Sequence, residues 1–244
     1  MSPASDSAQP LAAGPLRDIR QARIAAALID LDGTMVDTAR DFCAALNAML
    51  TRLGARPIEL TEVLTYIGKG SEHLIGAVLA PRFAQAQAQA LFQQAFDTYQ
   101  AEYARINGQF SSLYPQVEAG LAAMRSADIK LACVTNKPRR FALELLRHYG
   151  LLDYFSVVYG GDSWPQKKPH PQPMLEACRA LAVAPAHAVA IGDSENDALA
   201  ARAAGLWSLA VPYGYNHGQS VQKIPADGIV ENLLQAAQLI AQRS

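Results

Sequence analysis

Apolar positions change their spacing twice along the chain. Residues 24–29, Ile-Ala-Ala-Ala-Leu-Ile, form an unbroken apolar run that stops at a charged loop, Asp30-Leu31-Asp32-Gly33-Thr34. Such a run suits a strand buried on both faces, with the acidic loop at its carboxyl edge. From 41 to 106 the period becomes three to four. Phe42, Ala45, Leu46, Met49 and Leu53 share one face of a helix over 41–52, which Gly54 and Pro57 end. Ser71 as N-cap and Glu72 in the first turn predict a helix running to residue 79. Residues 83–106 lack Gly and Pro and carry an apolar stripe through Leu91, Phe92, Ala95, Phe96, Tyr99 and Tyr103.

Beyond Asn107-Gly108, short apolar runs alternate with amphipathic segments. Strands are predicted over 130–134, 155–159, 188–191 and 207–211, and helices over 141–148, 174–181, 197–204 and 231–242. That alternation predicts a parallel sheet with helices on both faces. The fold class is α/β, a parallel-sheet core with an inserted all-helical segment. The division is a disordered tail over 1–22, a core over 23–37 and 108–244, and a helical insert over 38–107. In open α/β sheets, ligands bind beyond the carboxyl ends of the strands. Three of those ends carry polar clusters, and the insert leaves just after the first.

Composition narrows the function. Half the residues are hydrophobic, and 21 Lys plus Arg against 22 Asp plus Glu leave a net charge of −1. A nucleic-acid partner needs a basic face, so none is expected, whereas a small anion needs only a few local cations. Three scattered cysteines, Cys43, Cys133 and Cys178, make neither a disulfide framework nor a metal spacing. They point to a reducing compartment, the cytoplasm by default. No apolar run approaches the roughly 20 residues of a membrane span, so no membrane partner is expected. The Ser/Ala/Pro-rich start lacks the pattern of a signal peptide. No pattern specifies an oligomer.

The clusters suggest phosphate chemistry. Asp30 and Asp32, two residues apart on a tight turn, can converge on a hard cation such as Mg²⁺, although Asp-Gly also marks ordinary turns. Asp193 and Asp197 add acidity at another strand end, and capping of the next helix accounts for the same residues. Thr135 and Asn136 offer hydroxyl, amide and backbone donors to phosphate oxygens, or make a plain strand-to-helix turn headed by Lys137. In Lys167-Lys168-Pro169-His170-Pro171, proline restricts the preceding residue and so aims Lys168, which is otherwise a solvated loop cation. A carboxylate attacking a phosphate meets like charge, costing about 4 kcal/mol per unit pair at about 4 Å and an effective dielectric near 20. A divalent cation and a lysine offset that repulsion. The second aspartate can protonate the leaving oxygen and then activate water.

In their order along the chain, Asp30-Leu31-Asp32-Gly33-Thr34, Val134-Thr135-Asn136, Lys168-Pro169 and Gly192-Asp193-Ser194-Glu195-Asn196-Asp197 resemble the four motifs of the haloacid dehalogenase superfamily of phosphatases. Tyr66-Ile67-Gly68-Lys69-Gly70, Gly160-Gly161-Asp162 and Tyr213-Gly214-Tyr215-Asn216 are similar to the bacterial members that act on 2-phosphoglycolate. The resemblance implies a Rossmann-like core with a helical cap, Mg²⁺ as cofactor, and hydrolysis of a small phosphorylated substrate, 2-phosphoglycolate, to glycolate. It makes Asp30 the nucleophile and a metal ligand. Asp32 becomes the general acid/base and a ligand through its carbonyl, Thr135 and Asn136 the phosphate holders, and Lys168 the neutralising cation. Asp193 becomes the metal ligand of the fourth motif, with Asp197 supporting directly or through water. One departure stands at the cap entrance, where Arg40 follows Asp37-Thr38-Ala39 in place of the usual proline.

The core motifs explain only the phosphate end of such a substrate. Arg40, Lys69 and His73 are the cap candidates for reading its carboxylate, and each is equally explained as a solvated residue. The same chemistry on a sugar phosphate, N-acetylmuramic acid 6-phosphate, a nucleotide or pyrophosphate stays open. So does a non-catalytic binding protein on the same fold. Dinucleotide-binding and nucleophile-elbow readings fail on spacing: His73 stands where a third Gly is needed, and Asn196 where the elbow needs Gly.

Overall fold

The computed structural model describes residues 18–241. Six parallel strands form the central sheet: β1 (Ala26–Ile29), β4 (Lys130–Val134), β5 (Val157–Tyr159), β6 (Ala188–Gly192), β7 (Trp207–Ala210) and β8 (Gly228–Ile229). Their order is β5-β4-β1-β6-β7-β8. The central three strands pair flush, with Ile29 opposite both Cys133 and Ile191. The loops that begin at Asp30, Thr135 and Asp193 therefore leave the sheet side by side. The fold class is that read from the sequence.

The pleat explains the unbroken apolar runs. Ala27 and Ile29 point to one face, where they pack with α5 (Val117–Ser126), α6 (Arg139–His148) and α9 (Leu233–Ala241). Ala26 and Leu28 point to the other, against α7 (Gln172–Leu181) and α8 (Glu195–Ala204). Each strand is thus buried on both sides. Gly120 lets α5 press against α9, since a Cβ there would stand 2.5 Å from the Leu233 carbonyl carbon.

Between β1 and β4 the chain leaves through β2 (Val36–Asp37) and returns through β3 (Ser112–Leu113), an antiparallel two-residue ribbon. Beyond it lie α1 (Ala39–Arg52), α2 (Leu60–Val63), α3 (Ser71–Leu79) and α4 (Gln85–Ile106). These helices bury an apolar cluster of their own, to which Phe141 and Tyr215 of the sheet side contribute.

Several predicted elements shift. The first strand begins at Ala26, α1 begins two residues earlier at Ala39, and Gly70 rather than Ser71 caps α3. β2, β3, β8, α2 and α5 are additions. The short strands and α2 are too brief to show a period, and α5 contributes few buried apolar residues, chiefly Val117, Leu121 and Met124. The tail expected over 1–22 lies mostly outside the described residues, but its last part corrects the expectation. Ile19, in a 3₁₀ turn capped by Asp18, is 6% exposed and joins the sheet core. Burying an apolar side chain outweighs a polar neighbourhood in sequence.

Candidate active site

Asp30 begins the loop after β1, and three carboxylates meet there. One oxygen each from Asp30, Asp193 and Asp197 lie within 4.8 Å of one another, all buried. The glycines beside them make this crowding feasible. A Cβ on Gly214 would stand 2.1 Å from the Asp193 Cβ, and one on Gly192 would stand 2.2 Å from the Asp197 Cγ. Gly33 combines a φ of +84° with a Cβ position 2.5 Å from Asp193 Oδ2, so a side chain fails there twice. Asp193 Oδ2 accepts from Tyr215 N at 2.6 Å and Oδ1 from Thr34 Oγ1 at 3.3 Å.

Lys168 is fixed between these acids. Its Nζ donates to Asp197 Oδ1 and Val134 O, both at 2.7 Å, and lies 2.8 Å from Asp30 Oδ1. Asp197 serves two ends: Oδ2 accepts from Ser194 N and Oγ, capping α8, while Oδ1 holds Lys168. The two sequence readings of Asp197 are therefore compatible. Asn136 fastens the Lys168 loop, accepting from Lys168 N at 3.0 Å and donating to Lys168 O at 2.8 Å. Its Nδ2 also reaches Gly68 O of the helical insert at 2.9 Å. The Asn136 side chain is thus occupied with positioning, which corrects the view of its amide as a free phosphate donor. The Thr135 hydroxyl accepts from Lys137 N at 3.2 Å and keeps its own proton to donate.

Asp32 faces the insert. Its Oδ1 accepts from Thr38 Oγ1 at 2.8 Å and from Lys137 Nζ at 3.0 Å. Lys137 Nζ also donates to Tyr103 OH at 2.5 Å and lies 4.6 Å from the ring centres of Phe42 and Tyr103. A small cavity, of about 40 Å³, opens here between insert and sheet, lined by Asp30, Asp32, Thr135, Asn136 and Lys137 with an apolar wall that includes Phe42 and Phe141.

The insert's expected substrate readers stand elsewhere. Arg40 is exposed, because the phase of α1 turns Ala39, Phe42 and Leu46 inward. His73 is exposed on α3, whose Leu74 and Ile75 face inward. Lys69 is half-buried beside it, and burial followed by the Lys69 charge holds the His73 imidazole below its usual range. None of the three lines the cavity.

The family profile of haloacid dehalogenase-like hydrolases matches residues 27–211. This chain belongs to that family. The phosphoglycolate phosphatase of Nitrosospira multiformis is 44% identical over 221 residues, covering 91% of this chain and 97% of that protein. That of Thiobacillus denitrificans is 41% identical over 217 residues, covering 89% and 96%. The crystal structure of a predicted phosphoglycolate phosphatase from Haemophilus somnus superposes with a TM-score of 0.84 at 28% identity, covering 90% of this chain and 99% of that one.

The site of this haloacid dehalogenase-like hydrolase fits a hard cation. Burial, then the charges of Asp30 and Asp197, push Asp193 up to about 8. Burial also raises Asp30 to about 6, against the pull of Lys168. Three carboxylates facing one lysine leave negative charge uncompensated, and an all-oxygen donor set suits Mg²⁺.

Three residues at the site escaped the sequence reading as functional positions. Lys137 was visible as the helix head beside Thr135-Asn136, but its span to Asp32 was not. Asp41 is fully buried in α1 and accepts from Gly108 N at 2.8 Å and Phe110 N at 2.7 Å, tying the insert's exit to its entrance. Tyr215 OH accepts from Thr38 N at 2.7 Å and Ala39 N at 3.0 Å and donates to Asp37 Oδ1.

Proposed function

We propose that the chain is a Mg²⁺-dependent phosphomonoester hydrolase that converts 2-phosphoglycolate to glycolate and phosphate through an aspartyl-phosphate on Asp30. Residues 23–37 and 108–244 form its catalytic core and 38–107 its cap. The observation that carries this reading is the pair of aspartates on one strand end with different surroundings. Asp30 faces Lys168 and the acidic cluster, whereas Asp32 faces the cap cavity and a second lysine. The names of the relatives, found at over 40% identity across most of the chain, support the substrate.

Asp30, Asp193 and the Asp32 carbonyl would hold Mg²⁺, with Asp197 in support. The cation supplies charge neutralisation that lets an anionic nucleophile approach a phosphate. Lys168, in contact with Asp30 and Asp197, contributes to the same neutralisation. The Asp30 carboxylate attacks phosphorus as the ester P–O bond breaks. Asp32 gives its proton to the departing glycolate oxygen. It then takes a proton from the water that cleaves the acyl phosphate, which regenerates Asp30 and releases phosphate. The Thr135 hydroxyl and the Asn136 backbone N–H, which meets no acceptor among the described residues, suit the phosphate oxygens. Free cysteines throughout fit work in the reducing cytoplasm.

A kcat/KM panel tests this reading. With Mg²⁺ we expect 2-phosphoglycolate to exceed glucose 6-phosphate, N-acetylmuramic acid 6-phosphate and pyrophosphate by at least about tenfold, a difference of roughly 1.4 kcal/mol in transition-state binding. Chelation should abolish turnover. Preference for a sugar phosphate would keep the chemistry and overturn the substrate. No turnover of any ester would overturn both.

A further inference from the structure

Lys137 is a costly residue to bury where it is. Its side chain is 1% exposed, yet its ammonium sits against the rings of Phe42 and Tyr103, in a wall of apolar side chains. An ammonium removed from water is tolerated only when paired, and a single carboxylate seldom repays the desolvation of both ions. Lys168 already supplies the cation at the phosphate end, held by Asp197 and Val134 and close to Asp30. Lys137 therefore adds a second positive charge at the other end of the site. It is the cation among the described residues lining the cavity.

Beside it stands a neutral donor. Tyr103 OH accepts from Lys137 Nζ at 2.5 Å, and its own proton meets no acceptor among the described residues. Burial, reinforced by the charge of Asp32, raises the phenol well above its usual range, so it stays a donor. The two groups come from opposite sides of the seam: Lys137 lies in the core loop just before α6, and Tyr103 near the end of α4 in the cap.

We propose that Lys137 and Tyr103 together form the receptor for the substrate's carboxylate, a specificity site that is complete only when the cap sits on the core. This rests on the reading of the protein as a 2-phosphoglycolate phosphatase and deepens it. One carboxylate oxygen takes a charge-assisted bond from the ammonium and the other takes the phenol proton. Arg40 and His73, exposed and outside the cavity lining, have no part in it.

The test compares 2-phosphoglycolate with 2-hydroxyethyl phosphate, which keeps the skeleton and replaces the carboxylate by an alcohol. Because Lys137 also touches Asp32, its loss should slow both esters, and the ratio of their kcat/KM values isolates the carboxylate. For Lys137→Met we expect that ratio to fall roughly 10- to 100-fold, the range of a lost charge-assisted bond. Tyr103→Phe keeps the ring stack with Phe42, Tyr99 and Phe141 and should lower the ratio about 2- to 10-fold. It carries the test alone if Lys137→Met does not fold. An unchanged ratio in a folded variant, with both esters slowed equally, would overturn the receptor and leave Lys137 a positioning residue for Asp32. A parent enzyme that turns over both esters equally would overturn the phosphoglycolate reading itself, before any variant is measured.

Discussion

Asp30 is a carboxylate that the fold keeps at a cost. Burial pushes it up to about 6, and Lys168 only partly opposes that. A charge that the surroundings disfavour is retained where reactivity needs it. Asp30→Asn is therefore expected to abolish turnover while leaving thermal stability in chelator at neutral pH equal to or above that of the parent. Steady-state kinetics and a melting curve check the two halves, and residual activity at a tenth of the parent would remove Asp30 as nucleophile. Asp32→Asn should lose roughly 10²- to 10⁴-fold in kcat, the worth of a positioned proton carrier. The pair was legible in the sequence because two acids two residues apart share a turn wherever the chain goes next. Their difference in role was not, since Lys168 and Lys137 reach them from loops more than a hundred residues away.

Among the elements, α1 shows how the cap is fastened. The first N–H groups of a helix have no partner within it, and no side chain of α1 itself caps them. The phenol of Tyr215 takes the N–H of Thr38 and of Ala39, and Asp41 holds the turn by which the chain returns, at Gly108 and Phe110. Tyr215→Phe leaves the buried Thr38 N–H unpaired, while Ala39 N keeps Asp37 Oδ1 at 3.2 Å, and should cost about 1–3 kcal/mol in urea unfolding. A change below about 0.5 kcal/mol would mean that water replaces the phenol. The helices were legible because their apolar stripes are local. The ribbon of β2 and β3 was not, since two-residue strands carry no period and exist only because the insert returns beside its own start.

For the whole molecule, the acidic cluster couples stability to pH and to the cation. Asp193 at about 8 and Asp30 at about 6 both exceed the ordinary carboxylate value of 3.8. Over that window the folded, metal-free protein holds more protons than the unfolded chain, so its stability falls as pH rises from about 4 to about 8. A cation that binds the folded state replaces those protons. The rise in Tm on adding Mg²⁺ should therefore be larger at about pH 8 than at about pH 5, measured against the same protein in chelator. A rise independent of pH would separate the cluster from the cation. Among the described residues no helix is long and apolar enough to cross a membrane.

The sequence by itself determined the kinds of elements and the chemistry at their ends. Periodicity sets which face of a helix is apolar, and an apolar run stopping at Asp30 puts that aspartate at a strand end whatever its neighbours. Motif order then pointed to the family. The tertiary structure decided what meets what. Flush pairing of β4, β1 and β6 brings the three polar loops together, since register belongs to the pairing and not to any one strand. Helix phase turned Arg40 and His73 outward, and closure of the cap set Tyr103 beside Lys137. Those contacts join residues distant in the chain, and only the burial of a shared core fixes their distances.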